Sequence, residues 1–399
     1  MNLVEILTIA TKKNASDVHL KAGLVPVIRK HGRLRPLEQG LPQLTNEQIE
    51  EMAFSILDEE QKATFHKVKE IDVGYGVTGL GRFRVNIFRQ RGSVRMVIRN
   101  IPFNVPTLAD LHLPDVIKTI AGYERGMILV SGVTGSGKSS TLAAIVDQIN
   151  NSQNTHILTI EDPIEFLIRD RKSIISQREL GLDTNTFTNA LRAALRQDPD
   201  VILIGEMRDR ETMEIAMTAA ETGHLVLSSL HTADAQETIG RIIGAFEPHY
   251  QAHIRRQLAA TLKAVISQRL ARRKDRSGFV PAVEIMVNNQ RIKEMIEDPA
   301  RTSEIHSVIE ESRETAGMQS FDQSLMDLLA GDLIDYEEAL RLCRNPDDFQ
   351  LRAAGIAEGG GGGHWHANSE LRDKARAQWQ GEGLLEIDAD PEKKYKGDT

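Results

Sequence analysis

The sequence predicts an α/β protein in which a mixed α+β unit precedes a larger unit built around a mostly parallel sheet. In the middle of the chain, short apolar runs alternate with segments of helical periodicity, as in parallel strands joined by helices. Nearer the amino terminus, strand-like runs are separated by short turns instead. The chain has 399 residues, of which 40% are hydrophobic, so it is long enough for about two or three domains with substantial cores.

The first unit, expected over residues 1–102, should combine helices with strands. An amphipathic helix is predicted by four apolar residues at helical spacing: Leu3, Ile6, Leu7 and Ala10. Thr45 followed by Gln48 is a capping box, which predicts the start of a second helix. Strands are predicted in four segments: a hairpin over 25–37, and runs over 72–77, 81–88 and 93–98. Two prolines then interrupt regular structure, so a linker is expected over residues 103–108.

The second unit, expected over residues 109–349, should contain a sheet that is buried on both faces. Four near-continuous apolar runs predict its strands: 127–130, 157–160, 201–204 and 225–230. From about residue 251 to 342 the pattern is mostly helical. Residues 350–399 contain five consecutive glycines followed by a charged stretch without periodicity, which indicates a disordered or weakly attached tail.

Composition narrows the classes of function. The formal net charge of −8 and the 5% of aromatic residues argue against a nucleic-acid partner. Cys343 is the single cysteine, which excludes an internal disulfide and zinc sites built from paired cysteines. No apolar run reaches membrane-spanning length and the N-terminus lacks a signal-peptide layout, so a cytoplasmic protein without a transmembrane segment is expected.

The most specific motif is a phosphate-binding loop between a predicted strand and a predicted helix. It reads Gly132-Val133-Thr134-Gly135-Ser136-Gly137-Lys138-Ser139. The glycines let backbone N–H groups surround phosphate oxygens, and the helix N-terminus favours the anion. Lys138 would reach the β- and γ-phosphates of ATP, and the Ser139 hydroxyl would ligate Mg²⁺. The predicted nucleotide-binding residues of this loop and the helix that follows it are Gly132, Thr134, Gly135, Ser136, Gly137, Lys138, Ser139 and Ser140. A glycine-rich turn that matches by chance is the competing interpretation.

Acidic residues follow two of the predicted strands. Glu206 comes after the run 201–204, where an enzyme with this loop needs a carboxylate to hold Mg²⁺ or to orient the attacking water. Glu161, Asp162 and Glu165 follow another apolar run and form a candidate cluster for handling water or Mg²⁺. Glu161, Glu165 and Glu206 are therefore predicted to be catalytic. The predicted metal ligands are Ser139, Asp162 and Glu206. The alternative interpretations are an acid placed for solubility and an ordinary charged loop, and not all three clustered acids need act.

Two histidines flank the apolar run 225–230, with His224 before it and His231 after it. A histidine at a strand end can hydrogen-bond the γ-phosphate or a neighbouring carboxylate. His231 is therefore predicted to be catalytic and His224 to contact the nucleotide. Histidines whose hydrogen bonds are satisfied within the fold are the rival interpretation.

Arginines are a second candidate group for catalysis. Arg192 and Arg196 lie one helical turn apart, on one face of a predicted helix. Six more are concentrated in the strand region of the first unit: Arg82, Arg84, Arg89, Arg91, Arg95 and Arg99. A basic surface stripe would explain them. The sharper hypothesis is that some are arginine fingers, which would make hydrolysis depend on the arrangement of the domains.

Together these features resemble the secretion-type ATPase family that powers type IV pili and type II secretion, and within it the pilus retraction ATPases of twitching motility. The resemblance extends from Met1 to about Phe349. Besides the phosphate-binding loop, it rests on four signatures: an N-terminal one at 15–20, an aspartate box at 157–166, a Walker B element at 205–209 and a histidine box at 222–232.

The resemblance implies a homo-hexameric ring whose subunits each have a PAS-like N-terminal domain and a RecA-like motor domain. It assigns the catalytic glutamate to Glu206, and arginine roles to Arg84 and Arg99 in the first domain and to Arg192 and Arg196 in the second. ATP would bind between the two domains, and its hydrolysis would rotate one against the other. That motion would act on an inner-membrane platform protein and draw pilin subunits out of the fibre, so the protein would be peripheral to the inner membrane.

Two absences favour retraction within this family. Assembly and secretion ATPases carry an additional N-terminal domain and a paired-cysteine zinc insert, whereas this chain begins almost at once with the PAS-like domain and has one cysteine. One segment departs from the pattern, because residues 291–296 read Arg-Ile-Lys-Glu-Met-Ile where retraction ATPases carry an Ala-Ile-Arg-Ala-Gly-Leu-like motif. A weakly hydrolysing accessory paralogue and a secretion or DNA-uptake motor are alternative functions with the same site.

Overall fold

A computed structural model describes residues 1–30, 32–101 and 105–353. The N-terminal part is built on an antiparallel six-stranded sheet in the order β3-β2-β1-β6-β5-β4. Its strands are β1 (Asp17–Lys21), β2 (Val27–Lys30), β3 (Arg33–Pro36), β4 (Glu70–Val77), β5 (Gly81–Gln90) and β6 (Ser93–Ile101). Its helices are α1 (Leu3–Lys12), α2 (Asn46–Phe54) and α3 (Glu59–Val68).

One face of this sheet packs on the helices, and the other carries polar side chains. Alternate residues of β5 and β6, among them Phe83, Val85 and Ile98, share a core with the buried residues of α1 and α2. The capping box is confirmed, since Thr45 Oγ1 accepts the N–H of Gln48 and the Gln48 side chain accepts the N–H of Thr45. The predicted hairpin and the three later strands are present. Strand β1 is not predicted, although its five residues alternate polar and apolar types, the pattern typical of a half-buried strand.

The second part is built on a seven-stranded sheet in the order β13-β12-β7-β11-β10-β8-β9. Its strands are β7 (Gly126–Ser131), β8 (His156–Glu161), β9 (Ile174–Glu179), β10 (Val201–Ile204), β11 (Leu225–Leu230), β12 (Leu262–Arg272) and β13 (Phe279–Val287). All neighbours are parallel except β12 and β13, which are antiparallel.

The helices of this part follow the strands and then form a C-terminal group. Those before β12 are α4 (Val116–Ala121), α5 (Lys138–Ser152), α6 (Phe187–Ala194), α7 (Arg210–Glu221), α8 (Ala235–Gly244) and α9 (Gln251–Thr261). Those after β13 are α10 (Gln290–Glu297), a 3₁₀ turn (Thr302–Glu304), α11 (Ile305–Glu311), α12 (Arg313–Ala316), α13 (Phe321–Ala330), α14 (Tyr336–Leu342) and α15 (Pro346–Ala353).

The prediction of a parallel sheet buried on both faces is confirmed. Met127 and Leu129 of β7 belong to the core on one face, whereas Ile128 and Val130 belong to the core on the other. Because both faces are covered, every position of such a strand favours an apolar residue, which is why the four predicted strands appear in the sequence as uninterrupted apolar runs.

The prediction that residues 251–342 are mostly helical is wrong where β12 and β13 lie. This long hairpin extends the sheet beyond β7. Strand β12 contains Lys, Gln, Arg, Leu and Ala, which favour helices, so pairing with β7 overrides the local preference. Strand β9 is also unpredicted, because it is an edge strand whose residues are only partly buried.

The structure describes only part of the residues around two predicted boundaries, the linker over 103–108 and the start of the tail at residue 350. Helix α15 begins at Pro346, where the sequence appeared to end its helical region, because proline is well suited to the first turn of a helix. The helix continues through Ala353, past the boundary expected at residue 350. The predicted tail from residue 354 onward, and part of the predicted linker over 103–108, lie outside the described residues.

The two sheets meet at a buried ion pair. Arg82 Nη2 of β5 lies 3.1 Å from Glu179 Oε2 of β9, and the Glu179 side chain is only 5% exposed. The same carboxylate accepts the N–H of Ile164, in the loop after β8, at 3.2 Å. A Cβ at Gly74 of β4 would lie 2.8 Å from Glu179 Oε1, so a larger residue there would require the ends of the neighbouring side chains to shift.

Candidate active site

The predicted loop and acids meet at the carboxyl edge of the seven-stranded sheet. Strands β7, β8, β10 and β11 are parallel neighbours or near neighbours, so the segments that follow them emerge on the same side. They surround a cavity of about 400 Å³. Its polar lining includes Thr134, Lys138, Ser139, Ser140, Glu161, Asp162, Glu165, Glu206, Arg208, Ser229 and His231.

The glycines of the loop are required by close backbone contacts. Gly132 has a φ of +146°, and a Cβ there would lie 2.4 Å from the carbonyl oxygen of Gln268. Gly137 has a φ of +91°, and a Cβ there would lie 2.7 Å from Gln268 Nε2. Any larger residue would displace the loop from strand β12 as well as strain its backbone.

Lys138 is the first residue of α5 and is buried, with 8% of its surface exposed. Its ammonium donates to the carbonyls of Gly132 at 2.7 Å and Val133 at 3.1 Å, and lies 3.5 Å from His231 Nδ1. Burial lowers the pKa of Lys138 from its ordinary value, and the carboxylates of Glu206 and Glu165 oppose that shift. The ammonium is therefore fixed at the cavity together with Glu206 and Glu165, two of the three acids predicted to be catalytic.

Glu206 is held by a cation on one side and a histidine on the other. Its Oε2 lies 2.9 Å from Arg208 Nε, and its Oε1 lies 3.2 Å from His231 Nε2. The Glu206 side chain is 19% exposed, so part of it remains accessible from the cavity. His231 thus lies between Lys138 and Glu206 and contacts both.

The three acids of the aspartate box lie in different environments. Glu161 accepts hydrogen bonds from Thr159 Oγ1 at 2.7 Å and from Gln177 Nε2 at 3.0 Å. Burial raises the pKa of Glu161, and these two hydrogen bonds oppose the rise. Asp162 and Glu165 are exposed to solvent while also lining the cavity. The cluster therefore offers one sheltered carboxyl group and two open carboxylates.

The residues fit a Mg²⁺ ion that arrives with a nucleotide. Ser139, Asp162 and Glu206 all line the cavity, and all offer oxygen ligands. The buried Ser136 Oγ in the adjacent loop has no hydrogen-bond partner among the described residues. In the part of the chain that the structure describes, no group of three or more His, Cys, Asp or Glu side chains could hold a metal by itself. Mg²⁺ commonly uses one or two carboxylates together with substrate phosphates, so the donor set suits it.

His224 does not lie at this cavity. It precedes β11, and its backbone carbonyl accepts the N–H of Gly126 at the start of β7. The phosphate-binding loop follows the other end of β7, about 20 Å away for six residues of strand. His224 Nδ1 instead lies 3.0 Å from the carbonyl oxygen of Ala219 in the last turn of α7. The predicted contact with the nucleotide is therefore not made within one chain.

The four candidate arginines also lie away from the cavity and pair elsewhere. Arg84 lies 3.6 Å from Asp72, and Arg99 lies 3.1 Å from Asp17. Arg192 lies 2.5 Å from Glu211. Arg196 donates to the carbonyl of Arg192. Arg84 and Arg99 are directly opposite each other on β5 and β6, so the first sheet presents them side by side.

Several residues at the site are missed by the sequence interpretation. Thr159 and Gln177 support Glu161, and Arg208 supports Glu206. Gln268 contacts the phosphate-binding loop but lies in a region that the sequence predicts to be helical, so no local signal marks it. The correct placement of His224 could have been inferred, since a residue before a parallel strand lies at the opposite edge from the residues after it.

The divergent segment 291–296 lies on α10 and keeps an apolar face. Ile292, Met295 and Ile296 are fully buried against the core that also contains α9, while Arg291 pairs with Glu311 at 2.7 Å. In this structure the segment packs α10 on the core through apolar residues at helical spacing.

Comparison with known proteins agrees with this architecture. The family model described as type II/IV secretion system protein matches residues 83–315. The type IV pilus retraction ATPase PilT of Pseudomonas aeruginosa is 43% identical over 349 residues, covering 88% of this chain and 100% of the relative. The type IV pilus ATPase PilU of the same organism is 38% identical over 354 residues, covering 88% and 91%.

Two solved structures also align with most of this chain. A crystal structure of the pilus retraction motor PilT with bound ADP aligns with a TM-score of 0.80 at 40% identity, covering 87% of this chain and 98% of that one. The ATPase DotB of Legionella pneumophila aligns with a TM-score of 0.72 at 27% identity, covering 89% and 96%. Among the described residues, no helix is both long enough and apolar enough to cross a membrane.

Proposed function

The chain belongs to the type II/IV secretion system protein family, and we propose that it is an ATPase motor that powers retraction of a type IV pilus. One observation carries the enzymatic part of this proposal. A buried lysine of a phosphate-binding loop and a glutamate held by two partners line the same cavity, with His231 in contact with both. Similarity to retraction ATPases over nearly the whole described chain supports the biological part.

In the proposed reaction, the loop and Lys138 bind the triphosphate, and Glu206 acts on the attacking water. The backbone N–H groups after Gly132 and the N-terminus of α5 favour phosphate oxygens. Glu206 accepts a hydrogen bond from the water and takes its proton as the water attacks the γ-phosphorus, while the bond from that phosphorus to the β,γ-bridging oxygen breaks and ADP leaves. His231 and Arg208 keep the carboxylate aimed at the cavity. Ser139, Asp162 and Glu206 would hold Mg²⁺, which offsets phosphate charge when it is bound.

Glu161 and Glu165 have different proposed roles in the same cavity. Glu161 is held by Thr159 and Gln177, which suits a group that positions water rather than one that moves. Glu165 is exposed and free to approach a bound nucleotide.

The arginines require a second subunit or a rearrangement, which supports a ring. Arg84, Arg99 and Arg192 are exposed by 42%, 68% and 58% of their side chains, and none lines the cavity of its own chain. We place them, with Arg196, at the nucleotide of a neighbouring copy in a homo-hexamer, where they would stabilise charge on the transferred phosphoryl group. His224, at the far edge of its own sheet, would take part only from a neighbouring subunit.

Rotation of the N-terminal part, with its six-stranded sheet, against the part with the seven-stranded sheet would perform the mechanical work. It would act on an inner-membrane platform protein and, through it, on the pilin fibre, so the ATPase would work on the cytoplasmic side of the inner membrane.

Phosphate release at saturating ATP tests the enzymatic proposal. Wild-type protein should turn over ATP only as an oligomer, Lys138→Ala should neither bind nor hydrolyse ATP, and Glu206→Ala should bind ATP but hydrolyse little. Equal turnover by an isolated monomer would contradict the ring mechanism. Deletion of the gene should leave cells that bear pili but cannot retract them.

Two alternative functions have specific support. Similarity to the type IV pilus ATPase PilU supports a second kind of pilus ATPase, for which we propose an accessory role in retraction with weak hydrolysis of its own. The match to the type II/IV secretion system protein family supports a secretion motor, and a DNA-uptake motor would use the same site. Deletion distinguishes these possibilities: retraction that continues with reduced force supports the accessory function, and normal retraction with failed export or uptake supports the other motor.

A further inference from the structure

We infer that Gln268 is a positioning residue for ATP binding, and that it acts by holding the phosphate-binding loop against strand β12. This inference rests on the proposed ATPase function and assigns the buried side chain a part in it. Gln268 lies on β12, not in any of the motifs that define the site, and only 3% of its surface is exposed.

Both ends of the Gln268 amide are used, and both partners belong to the nucleotide-binding segment. Nε2 donates to the carbonyl oxygen of Ser136 in the loop at 2.8 Å. Oε1 accepts from the Thr141 hydroxyl in the first turns of α5, also at 2.8 Å. The Gln268 side chain therefore connects the phosphate-binding loop to α5, the helix that follows the loop.

The backbone at Gln268 fits the loop equally closely. Ser267 pairs with Ser131, the last residue of β7, so Gln268 lies beside Gly132 where the loop begins. The carbonyl oxygen of Gln268 occupies the space that a Cβ at Gly132 would need, and its side-chain nitrogen occupies the space that a Cβ at Gly137 would need. Two of the loop's glycines thus face this single residue.

Strand β12 is anchored on its other side, so it can act as a fixed support. The next residue, Arg269, donates from Nη1 to the carbonyl of Leu342 at 2.6 Å, and its guanidinium carbon lies 4.0 Å from the centre of the Phe321 ring. These contacts attach the strand to the C-terminal helices.

The hydrogen bond from Gln268 to the loop sets the direction of backbone dipoles there. A hydrogen bond to the Ser136 carbonyl fixes the peptide plane between Ser136 and Gly137, and so directs the N–H of Gly137. That group and its neighbours are the donors that a loop of this type presents to phosphate oxygens. Without the bond, these groups would have to be ordered when ATP binds, which weakens binding.

The test compares Gln268→Met and Gln268→Glu with a matched control, Ser267→Ala. Methionine has a similar size but no donor. Glutamate still accepts from Thr141 but presents a negative charge to the Ser136 carbonyl and the phosphates. The control removes the buried bond between Ser131 and Ser267 in the same strand pair, one residue away, which does not involve the loop. For each protein we would measure the steady-state KM and kcat for ATP, the Kd for ATP by calorimetry, and the Tm without nucleotide.

We expect both Gln268 variants to raise KM and Kd about tenfold or more, because the loop must then be ordered when ATP binds. The value of kcat should fall less than about threefold, because ground state and transition state lose the same binding. Ser267→Ala should lower Tm but keep KM within about twofold. Thr141→Val, which keeps the donor to Ser136, should give an intermediate KM.

A purely structural role would lower Tm and the active fraction while KM for the folded protein stayed at the wild-type value, and that result would overturn the inference. If Gln268→Met does not fold, Gln268→Glu and Thr141→Val decide the same question through KM. Wild-type protein that binds no ATP would overturn the proposed function, and with it this inference. Normal binding by wild type together with unchanged KM in the Gln268 variants would overturn the inference alone.

Discussion

The two sheets differ in where their charged side chains lie relative to the cavity. At the edge of the seven-stranded sheet, Lys138, Glu206 and His231 are already gathered around one cavity within a single chain. On the six-stranded sheet, Arg84 and Arg99 lie side by side outside the lining of that cavity, in ion pairs with Asp72 and Asp17. The first region is assembled in advance, whereas the second needs a new partner before it can act.

This difference indicates where control of the reaction lies. In the proposed mechanism, phosphate binding and water activation depend on residues within one sheet, so they would change little when domains move. Arg84 is held in an exposed ion pair that is worth about 0–1 kcal/mol, so it can be exchanged at small cost. The partner of Arg99, Asp17, is only 12% exposed, but it has a second cation, Arg29, at 3.7 Å when Arg99 leaves. A motor that cleaves ATP only in certain arrangements of its domains needs this combination of one fixed and one transferable set of charges.

The largest expected effect is on kcat, when either Arg84 or Arg99 of the six-stranded sheet is removed. Arg99→Ala and Arg84→Ala should each lower kcat by about 10³-fold while Kd for ATP changes only a few fold, since arginine fingers stabilise mainly the transition state. Phosphate release and calorimetry would measure the two quantities.

Mixed rings sharpen this test. Arg84→Ala subunits combined with Lys138→Ala subunits should recover part of the activity, because each variant supplies what its neighbour lacks. Mixtures that are no more active than either variant alone would leave action between subunits without support.

The next largest effect is on kcat, when the Glu206 carboxylate at the cavity is replaced. Glu206→Gln should lower kcat by about 10²- to 10³-fold, the usual range for losing a general base, and should leave Kd for ATP within a few fold. Glu214→Gln, in helix α7 away from the cavity, is the control. Turnover near the wild-type rate in Glu206→Gln would remove that residue from its assigned role.

A third prediction concerns the ion pair that joins the two regions. Arg82→Ala leaves the buried Glu179 carboxylate without its cation, so the free energy of unfolding should fall by about 1–3 kcal/mol. Arg84→Ala, two residues away in the same strand, breaks an exposed pair and should cost less than about 0.5 kcal/mol. Urea denaturation would measure both, and equal costs would contradict the buried character of the contact between the sheets.

The smallest expected effect is a dependence of stability on pH. Burial raises the pKa of Glu161, so the folded protein binds its proton more tightly than the unfolded chain does. The contribution of this group to stability is therefore fully present below its unfolded pKa and is lost as the pH rises through its folded pKa. Glu161→Gln removes that loss, so its Tm should exceed the wild-type Tm by more at pH 8 than at pH 5.5. An equal difference at the two pH values would show that the charge on Glu161 is not what destabilises the fold.

Several features were determined by local sequence. The phosphate-binding loop, the acids after β8 and β10, and the four apolar strands all follow from a few consecutive residues, because a strand covered on both faces and a loop that wraps phosphate each impose their own residue pattern. The order of those segments then places their side chains at one edge of a parallel sheet. This is why the cavity lining agrees with most of the residues predicted from motifs.

Other features were decided only by contacts between distant segments. Strand β12 has the residues of a helix and becomes a strand because β7 offers it an edge to pair with. Gln268 gains its two bonds only there, and Arg82 meets Glu179 across 97 positions of sequence. A local pattern records what a segment needs for its own burial, but the partner that satisfies a hydrogen bond or a charge lies elsewhere in the chain, so only the folded arrangement determines which partner that is.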